Sequence, residues 1–191
     1  MITLVFFLEE ASAKAMLEGL LPRVLPNEVA PRYIVFEGKQ DLEKQVEKRL
    51  RGWLAPNSRF VILRDRDAGD CVKIKSELRS KCMAAGRPGA LVRIACRELE
   101  AWYFGDLAAV ERALSLPSLT PHASKAKYRE PDKIVSPSRE LRTITGQAYQ
   151  KVSGSRAIGP ELGLSGTNES RSFKLFIAGL KRLLRTNAPR S

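Results

Sequence analysis

Several residues and motifs that mark common classes of protein are rare or missing in this chain of 191 residues. It has one histidine, His122, and three cysteines, Cys71, Cys82 and Cys96, which lack the spacing of zinc ligands. Their odd number argues against a disulfide framework and is typical of reduced thiols, so we expect a cytoplasmic protein. No apolar run approaches the roughly 18 residues that a membrane-spanning helix needs. The longest, residues 4–8, is interpreted as a strand and not as a signal peptide.

Glycine-rich phosphate-binding motifs are also missing. Neither GxxxxGK[ST] nor GxGxxG occurs, so a bound nucleotide would have no glycine-rich cradle, and nothing supports a nucleotidyl or phosphoryl transferase. The aspartates after residue 64 superficially match a calcium-binding EF-hand loop. However, Gly69 comes one position early, and Ser76 stands where a bidentate glutamate is needed.

Acidic residues are scarce in the last third of the chain. The net charge is +12: up to Thr120 there are 19 basic and 16 acidic residues, and from Pro121 onward there are 14 and 5. A basic extension beside an acidic site suits an enzyme that acts on a polyanion, because phosphates are attracted while metal ligands stay anionic. An ordinary solubilising surface explains the same excess.

The first two thirds of the chain alternate between strand and helix patterns. Short apolar runs predict four strands, at residues 2–8, at 33–36, in the block that ends at Asp65, and at 90–95. This alternation is typical of βαβ units. We therefore predict an α/β fold of the Rossmannoid type, with a mostly parallel four-stranded sheet flanked by helices in residues 1–115. Residues 116–191 are expected to form a basic, loop-rich and helical C-terminal extension packed on this core, ending in a helix at 172–184.

Carboxylates follow three of the predicted strands. They are Glu9 and Glu10 after the first strand, Asp65, Asp67 and Asp70 after the third, and Glu98 and Glu100 after the fourth. Because the carboxyl ends of parallel strands share one edge, where ligands bind in open α/β sheets, we expect these groups to converge. Like charges crowded together repel unless a cation neutralises them. Mg²⁺ fits, because it needs few carboxylates and leaves coordination positions for substrate phosphates.

The individual carboxylates have different expected roles. Asp65 and Asp67 are the main candidates for metal ligands, and Glu9 is expected to point into the site. The charge of Glu10 favours the start of a helix, and Asp70 caps a helix. Beyond this, we expect both residues to interact with the metal ligands and not with the metal itself.

Two further groups of residues are candidates for the same site. Glu98 and Glu100 lie two apart and would face different ways on a helix, so at most one of them is expected to be a ligand. Lys151 and Arg156 are candidates to bind substrate phosphates, although ordinary exposed charge explains both equally well.

Glu9 after the first strand and Asp65-x-Asp67 after the third resemble the Toprim domain, found in topoisomerases, bacterial primases and nucleases of the overcoming-lysogenization-defect class. The first Toprim motif usually reads Val-Glu-Gly, whereas here it is Leu8-Glu9-Glu10. The chain is more similar to Toprim-like bacterial proteins of unknown function encoded beside ATPases in defence loci. Those proteins have a glutamate two residues before a tryptophan, as in Glu100-Ala101-Trp102, and residues 149–154 and 170–173 also resemble their C-terminal part.

This resemblance implies phosphodiester chemistry with a divalent metal. Asp65 and Asp67 would hold Mg²⁺ or Mn²⁺, Glu9 would be a ligand or general base, and Glu100 a further ligand. The expected function is a nuclease acting on DNA or RNA, as an effector of anti-phage defence that works with an ATPase. The alternative is a catalytically weak Toprim-like binding or regulatory module that docks on such an ATPase. No contact with a membrane is expected, and the oligomeric state is open.

Overall fold

One sheet of four parallel strands lies at the centre of the protein. The computed structural model of the chain describes residues 1–185, so the last six residues of the predicted extension, 186–191, lie outside the described residues. The strands are β1 (Ile2–Leu8), β2 (Val29–Val35), β3 (Ser58–Asp65) and β4 (Leu91–Ala95). Their order is β2-β1-β3-β4 and every pair is parallel. The α/β prediction is confirmed, and the architecture is consistent with a Rossmannoid fold.

Helices cover both faces of this sheet. They are α1 (Ala11–Leu20), α2 (Lys39–Arg51), α3 (Cys71–Ala84), α4 (Ala101–Phe104), α5 (Leu107–Leu114), α6 (Pro137–Ile144), α7 (Lys151–Ile158) and α8 (Arg171–Arg185). Phe7 and Ile62 pack toward α2 and α3, whereas Phe6 and Leu63 pack toward α1 and α8 on the other face. The two middle strands therefore read as unbroken apolar runs, because successive side chains enter different core layers. None of the helices in residues 1–185 is long and apolar enough to cross a membrane.

The second half of the chain shares the core of the first half. The ring of Trp102 lies 5.4 Å from that of Phe173 and 5.0 Å from that of Phe176, both on α8. Helix α7 packs closely on α1: a Cβ at Gly159, just after α7, would overlap the carbonyl oxygen of Met16. This close approach brings the N-terminus of α7, and with it Lys151, to the carboxyl edge of the sheet.

Strand β2 begins at Val29, four residues before the predicted start. The N–H of Ile2 donates to the carbonyl of Glu28, and the N–H of Phe36 donates to that of Leu8, both at 2.9 Å. Even-numbered residues of β2 therefore face β1, since neighbouring peptide groups in a strand point to opposite sides. Pro31 faces the free edge of the sheet, where its missing N–H breaks no ladder hydrogen bond.

Candidate functional site

Glu9 and Asp65 meet at the carboxyl edge of the sheet, where the ends of β1 and β3 lie side by side. The backbone N–H of Asp65 donates a hydrogen bond of 3.1 Å to Oε2 of Glu9. Both residues are buried, with 8% and 9% of their surface exposed. The convergence of the first and third strand ends thus brings the Glu9 carboxylate to the backbone of Asp65 and places both acidic residues in a poorly hydrated environment.

Burial raises the pKa of the Glu9 carboxyl. Its hydrogen bond from Asp65 opposes this shift, while the negative charge of Asp67 adds to it. Arg64, a buried arginine inside β3, lowers the pKa of Glu9 slightly, with Nε 3.9 Å from Oε2 of Glu9. The main ion-pair partner of Arg64 is Glu43 on α2, at 2.6 Å. Glu9 therefore receives only part of the compensation that a buried carboxylate needs.

Glu100 brings the third strand end to the site. It is fully buried just before α4, and its Oε1 accepts a hydrogen bond of 2.8 Å from the hydroxyl of Tyr149. Its Oε2 is also buried and has no hydrogen-bond partner among the described residues. Burial raises the pKa of Glu100, against the effects of Lys151 and Tyr149. The free Oε2 is a buried acceptor without a donor, which is costly unless a ligand supplies the missing positive charge.

The pKa of the Asp65 carboxyl is also strongly perturbed. Burial raises its pKa well above the ordinary value, and the negative charges of Glu100, Glu9 and Glu10 add to the shift. Lys151 is the cation that lowers it. Carboxylates from three strand ends therefore act on one another, as the sequence predicts for a parallel sheet.

Lys151 supplies positive charge to this cluster from the first turn of α7. Its Nζ lies 2.8 Å from Oε1 and 2.6 Å from Oε2 of Glu10. Burial disfavours the charged form of Lys151, but the bond to Glu10 and the charge of Glu100 outweigh it, so its pKa is raised. The structure thus places Lys151 in an ion pair with the acidic cluster and not on an open surface.

Asp67 stands at the rim of the site. Its backbone is in the left-handed region, with φ of 53°, and its N–H donates to the carbonyl of Arg97 at 2.7 Å. Its Oδ2 lies 2.8 Å from Nζ of Lys39 in an ion pair exposed to solvent. Asp67 nevertheless lies close enough to Glu9 to raise the pKa of that group. A rotation away from Lys39 is needed before Asp67 can share a ligand with Glu9.

The remaining sequence candidates lie outside the cluster. Asp70 is the N-cap of α3, with Oδ1 accepting from the N–H groups of residues 72 and 73 at 2.7 and 3.2 Å. Glu98 accepts a hydrogen bond of 2.7 Å from the N–H of Ser138 in the first turn of α6. Arg156 is exposed on α7 and makes no ion pair with any residue of the described range 1–185.

A hydrogen-bonded group behind Glu100 was not anticipated as part of the site. The hydroxyl of Tyr103 donates to Oγ of Ser155 at 2.8 Å, and Oγ donates to the carbonyl of Lys151 at 2.6 Å. The Tyr149 hydroxyl lies 3.3 Å from the same Oγ. This network holds Tyr149 against Glu100 and fixes the start of α7. The candidates Lys151 and Arg156 and the resemblance in residues 149–154 point to this segment, but none of them predicts its hydrogen bonds.

The side chains at the carboxyl edge are of the type that binds a hard cation, but they are not arranged around a common point. Within residues 1–185, no group of three or more His, Cys, Asp or Glu side chains is arranged to hold a metal ion. The available donors are carboxylate oxygens, which Mg²⁺ and Mn²⁺ prefer. The buried Oε2 of Glu100 and the strongly perturbed Asp65 mark the place where positive charge is deficient. A cation there would require the acidic side chains to rearrange.

One protein family is similar to almost the whole chain. The family model described as a domain of unknown function (DUF4276) matches residues 8–181, a span that includes every candidate residue named above. No curated protein and no solved structure gives a significant match.

Proposed function

We propose that this chain, which belongs to the DUF4276 family, is a divalent-metal-dependent nuclease whose active site is the carboxyl edge of the sheet. One observation carries the proposal: Glu9, Asp65 and Glu100 converge from three strand ends, and burial raises the pKa of each. A buried acidic cluster lowers stability unless a ligand repays it, and strongly perturbed carboxyls concentrate at functional sites.

The ligand set of the proposed site is made of carboxylates only. Asp65 and Glu100 would hold the ion from the buried side and Asp67 from the rim, while Glu9, at the end of β1, would orient or deprotonate the attacking water. A bound Mg²⁺ or Mn²⁺ supplies an activated water and neutralises charge on a scissile phosphate. Proton transfer then belongs to Glu9, because its raised pKa suits a general base better than an ordinary glutamate.

Basic side chains around the edge are suited to holding a polyanion. Lys39 and Lys151 each lie within hydrogen-bond distance of a carboxylate of the site, so a phosphate that replaces one partner is bound beside the acidic cluster. Arg156, exposed on α7, would contact a phosphate farther along the same strand.

The wider biological setting is part of the same proposal. The order of Glu9, Asp65-x-Asp67 and Glu100-x-Trp102 along a parallel sheet supports a Toprim-like relationship. From this resemblance we propose a cytoplasmic effector of anti-phage defence that acts on DNA or RNA together with an ATPase.

The test combines cleavage and metal binding in one preparation. Purified protein is incubated with Mg²⁺ or Mn²⁺ and with DNA or RNA, beside an Asp65→Ala/Asp67→Ala variant and an Asp70→Asn variant. Asp70 is the matched control, since it lies in the same loop but caps α3, and asparagine caps equally well. We expect the double variant to lose cleavage and calorimetric metal binding while the control retains both. Cleavage that survives the double substitution would refute the site.

A second candidate function is favoured by a specific feature of the edge. Asp67 and Glu10 already have lysine partners, so part of the acidic charge is neutralised without a metal. Such a site suits a catalytically weak binding or regulatory module that docks on a partner ATPase. If calorimetry detects no Mg²⁺ or Mn²⁺ binding to the wild-type protein, this second function replaces the first.

A further inference from the structure

The two edges of the sheet differ in their capacity to pair with another strand. At one edge, strand β2 presents Pro31 to solvent. Because proline has no backbone N–H, this edge lacks one hydrogen-bond donor. At the other edge, the N–H of Arg66 donates to the carbonyl of Ala95 at 3.0 Å, so Ala95 faces β3. Because the backbone N–H and C=O groups of successive residues point to opposite sides of a strand, those of Val92 and Ile94 face away from β3. No described strand pairs with this side of β4.

The open side of β4 is the floor of a groove between α3 and α8. The groove has a volume of about 770 Å³. Its lining includes Ile94 from the strand and Leu175 and Leu183 from α8, and Leu175 is 51% exposed. No aromatic side chain is among the residues that line it. The edge of β4 is thus combined with apolar side chains at the floor of the groove, where Val92 and Ile94 are 2% and 7% exposed, while Leu175 on the wall reaches solvent.

The walls of the groove are strongly basic. Five cationic residues line it: Lys75 and Arg79 on α3, Arg93 on β4, and Arg171 and Arg182 on α8. The acidic residue in the lining is Asp132, whose Oδ1 accepts a hydrogen bond of 2.7 Å from the hydroxyl of Ser170. The groove therefore attracts anionic groups.

Arg93 shows how closely these cations are placed. Its Nε donates to the carbonyl of Leu175 at 3.0 Å and its Nη1 to that of Val92 at 2.9 Å, so the guanidinium bridges the strand edge and α8. Burial lowers the pKa of Arg93, and the positive charges of Arg182 and Arg79 lower it further. The positive charges of these arginines repel one another, and an anion bound between them would reduce this repulsion.

We propose that this groove binds an extended acidic segment of a partner protein, which adds a fifth strand to the sheet beside β4. The segment displaces the Arg93 guanidinium from the carbonyl of Val92 and pairs with the outward peptide groups of Val92 and Ile94. Its acidic side chains meet the basic walls, and its apolar side chains contact Leu175. A five-residue strand is about 17 Å long at about 3.3 Å per residue. The site is independent of the carboxylate cluster and of any nuclease activity.

Charge complementarity alone would also admit a nucleic-acid strand, but the groove lacks two features that such a strand uses. Single-stranded nucleic acids stack their bases on aromatic side chains, and the lining has none. A sugar-phosphate backbone also cannot continue the ladder of alternating N–H and carbonyl groups that Val92 and Ile94 present. A peptide satisfies the charge, the apolar surface and the strand edge together.

Fluorescence anisotropy with a labelled peptide of alternating Asp and Val residues tests the proposal. Comparison probes are the same peptide with Lys for Asp, the same peptide with alternate backbone nitrogens methylated, and an oligothymidylate. Of the three peptides, we expect only the unmodified acidic one to bind, and we expect any binding of the oligothymidylate to be unchanged by substitutions in the groove. The Lys75→Glu/Arg79→Glu variant is expected to bind at least about tenfold more weakly, a loss of about 1.4 kcal/mol. The matched control is Lys44→Glu/Lys48→Glu, with the same spacing on α2.

Amide hydrogen exchange separates strand addition from simple charge attraction. The acidic peptide should increase protection at Val92 and Ile94 in the wild-type protein. The proposal is overturned if the acidic peptide does not bind, if the α3 variant binds it as tightly as the α2 control, or if these amides gain no protection. Stronger binding of the oligothymidylate at this edge would assign the groove to nucleic acid instead.

Discussion

Replacement of Asp65 by asparagine should stabilise the metal-free protein and abolish its response to Mg²⁺. The raised pKa of Asp65 means that the folded state holds its proton to a higher pH than the unfolded chain, whose aspartates titrate near pH 3.9. This contribution to stability is therefore complete below the unfolded pKa and is lost as the pH rises through the folded pKa. Asparagine has nearly the same shape and no charge to lose.

The size of the effect follows from the burial of Asp65 beside Glu9 and Glu100. Removing an uncompensated buried group of this kind is worth about 1–3 kcal/mol. For a chain of this length, that corresponds to an increase in melting temperature of about 2–12 °C. Conversely, Mg²⁺ at about 100 times its dissociation constant stabilises the wild-type protein by about 2.7 kcal/mol, or about 5–11 °C.

Thermal unfolding of both proteins in EDTA and in Mg²⁺, at several pH values from 4 to 8, measures these quantities. In EDTA the advantage of Asp65→Asn should be smallest at the acidic end and grow as the pH rises. In Mg²⁺ at neutral pH, the wild-type protein should gain stability and the variant should not. The reasoning is refuted if Asp65→Asn melts below the wild type in EDTA at neutral pH, or if it keeps the full response to Mg²⁺.

Three further substitutions test other parts of the site and of its support. Tyr149→Phe removes the donor to Glu100 and should cost about 1–3 kcal/mol in chemical denaturation. Lys151→Met removes the ammonium from the acidic cluster; because this side chain is about one third exposed, we expect a loss of about 1 kcal/mol in EDTA and less in saturating Mg²⁺. Gly159→Ala forces a Cβ against the carbonyl of Met16 and should lower the melting temperature, by about 1–3 kcal/mol of stability.

Two of these substitutions have a control in the same chain, and Lys151→Met is compared with and without Mg²⁺. Tyr33→Phe removes a hydroxyl that makes no hydrogen bond with a described residue, and Gly89→Ala adds a Cβ with nothing within 4 Å. Neither control should lose as much stability as the substitution with which it is compared. Equal losses for Tyr149→Phe and Tyr33→Phe would remove the support for a buried Glu100 contact. A Lys151→Met variant that loses the same stability with and without Mg²⁺ would show that the ion and the ammonium do not act on the same charges.

The sequence predicts those parts of the fold that depend on local patterns. The apolar run before Asp65 makes β3 recognisable, and Asp70 caps α3 as expected. The start of β2 was missed because Pro31 is unfavourable in most strands and is tolerated here only at the sheet edge. The convergence of Glu9 with Asp65 follows from the parallel order of the strands, which the alternating pattern indicates.

Contacts between distant segments could not be predicted in the same way. Lys151 and Glu10 are separated by 141 positions, and their ion pair depends on how α7 packs on α1. Likewise, Tyr149 reaches Glu100 only because Ser155 and Tyr103 hold it there. Such contacts depend on tertiary packing, which the hydrophobic periodicity of the sequence does not predict.

Pro31 at the outer edge of β2 also limits how many chains can join through this sheet. An additional strand that pairs with β2 finds no donor at that position, whereas β4 contains no proline. Stacking of copies edge to edge into a growing array, in which every contact would need β2, is therefore disfavoured. Two copies meeting through β4 would bring two sets of basic groove walls together. Pro31 therefore disfavours self-assembly through β2.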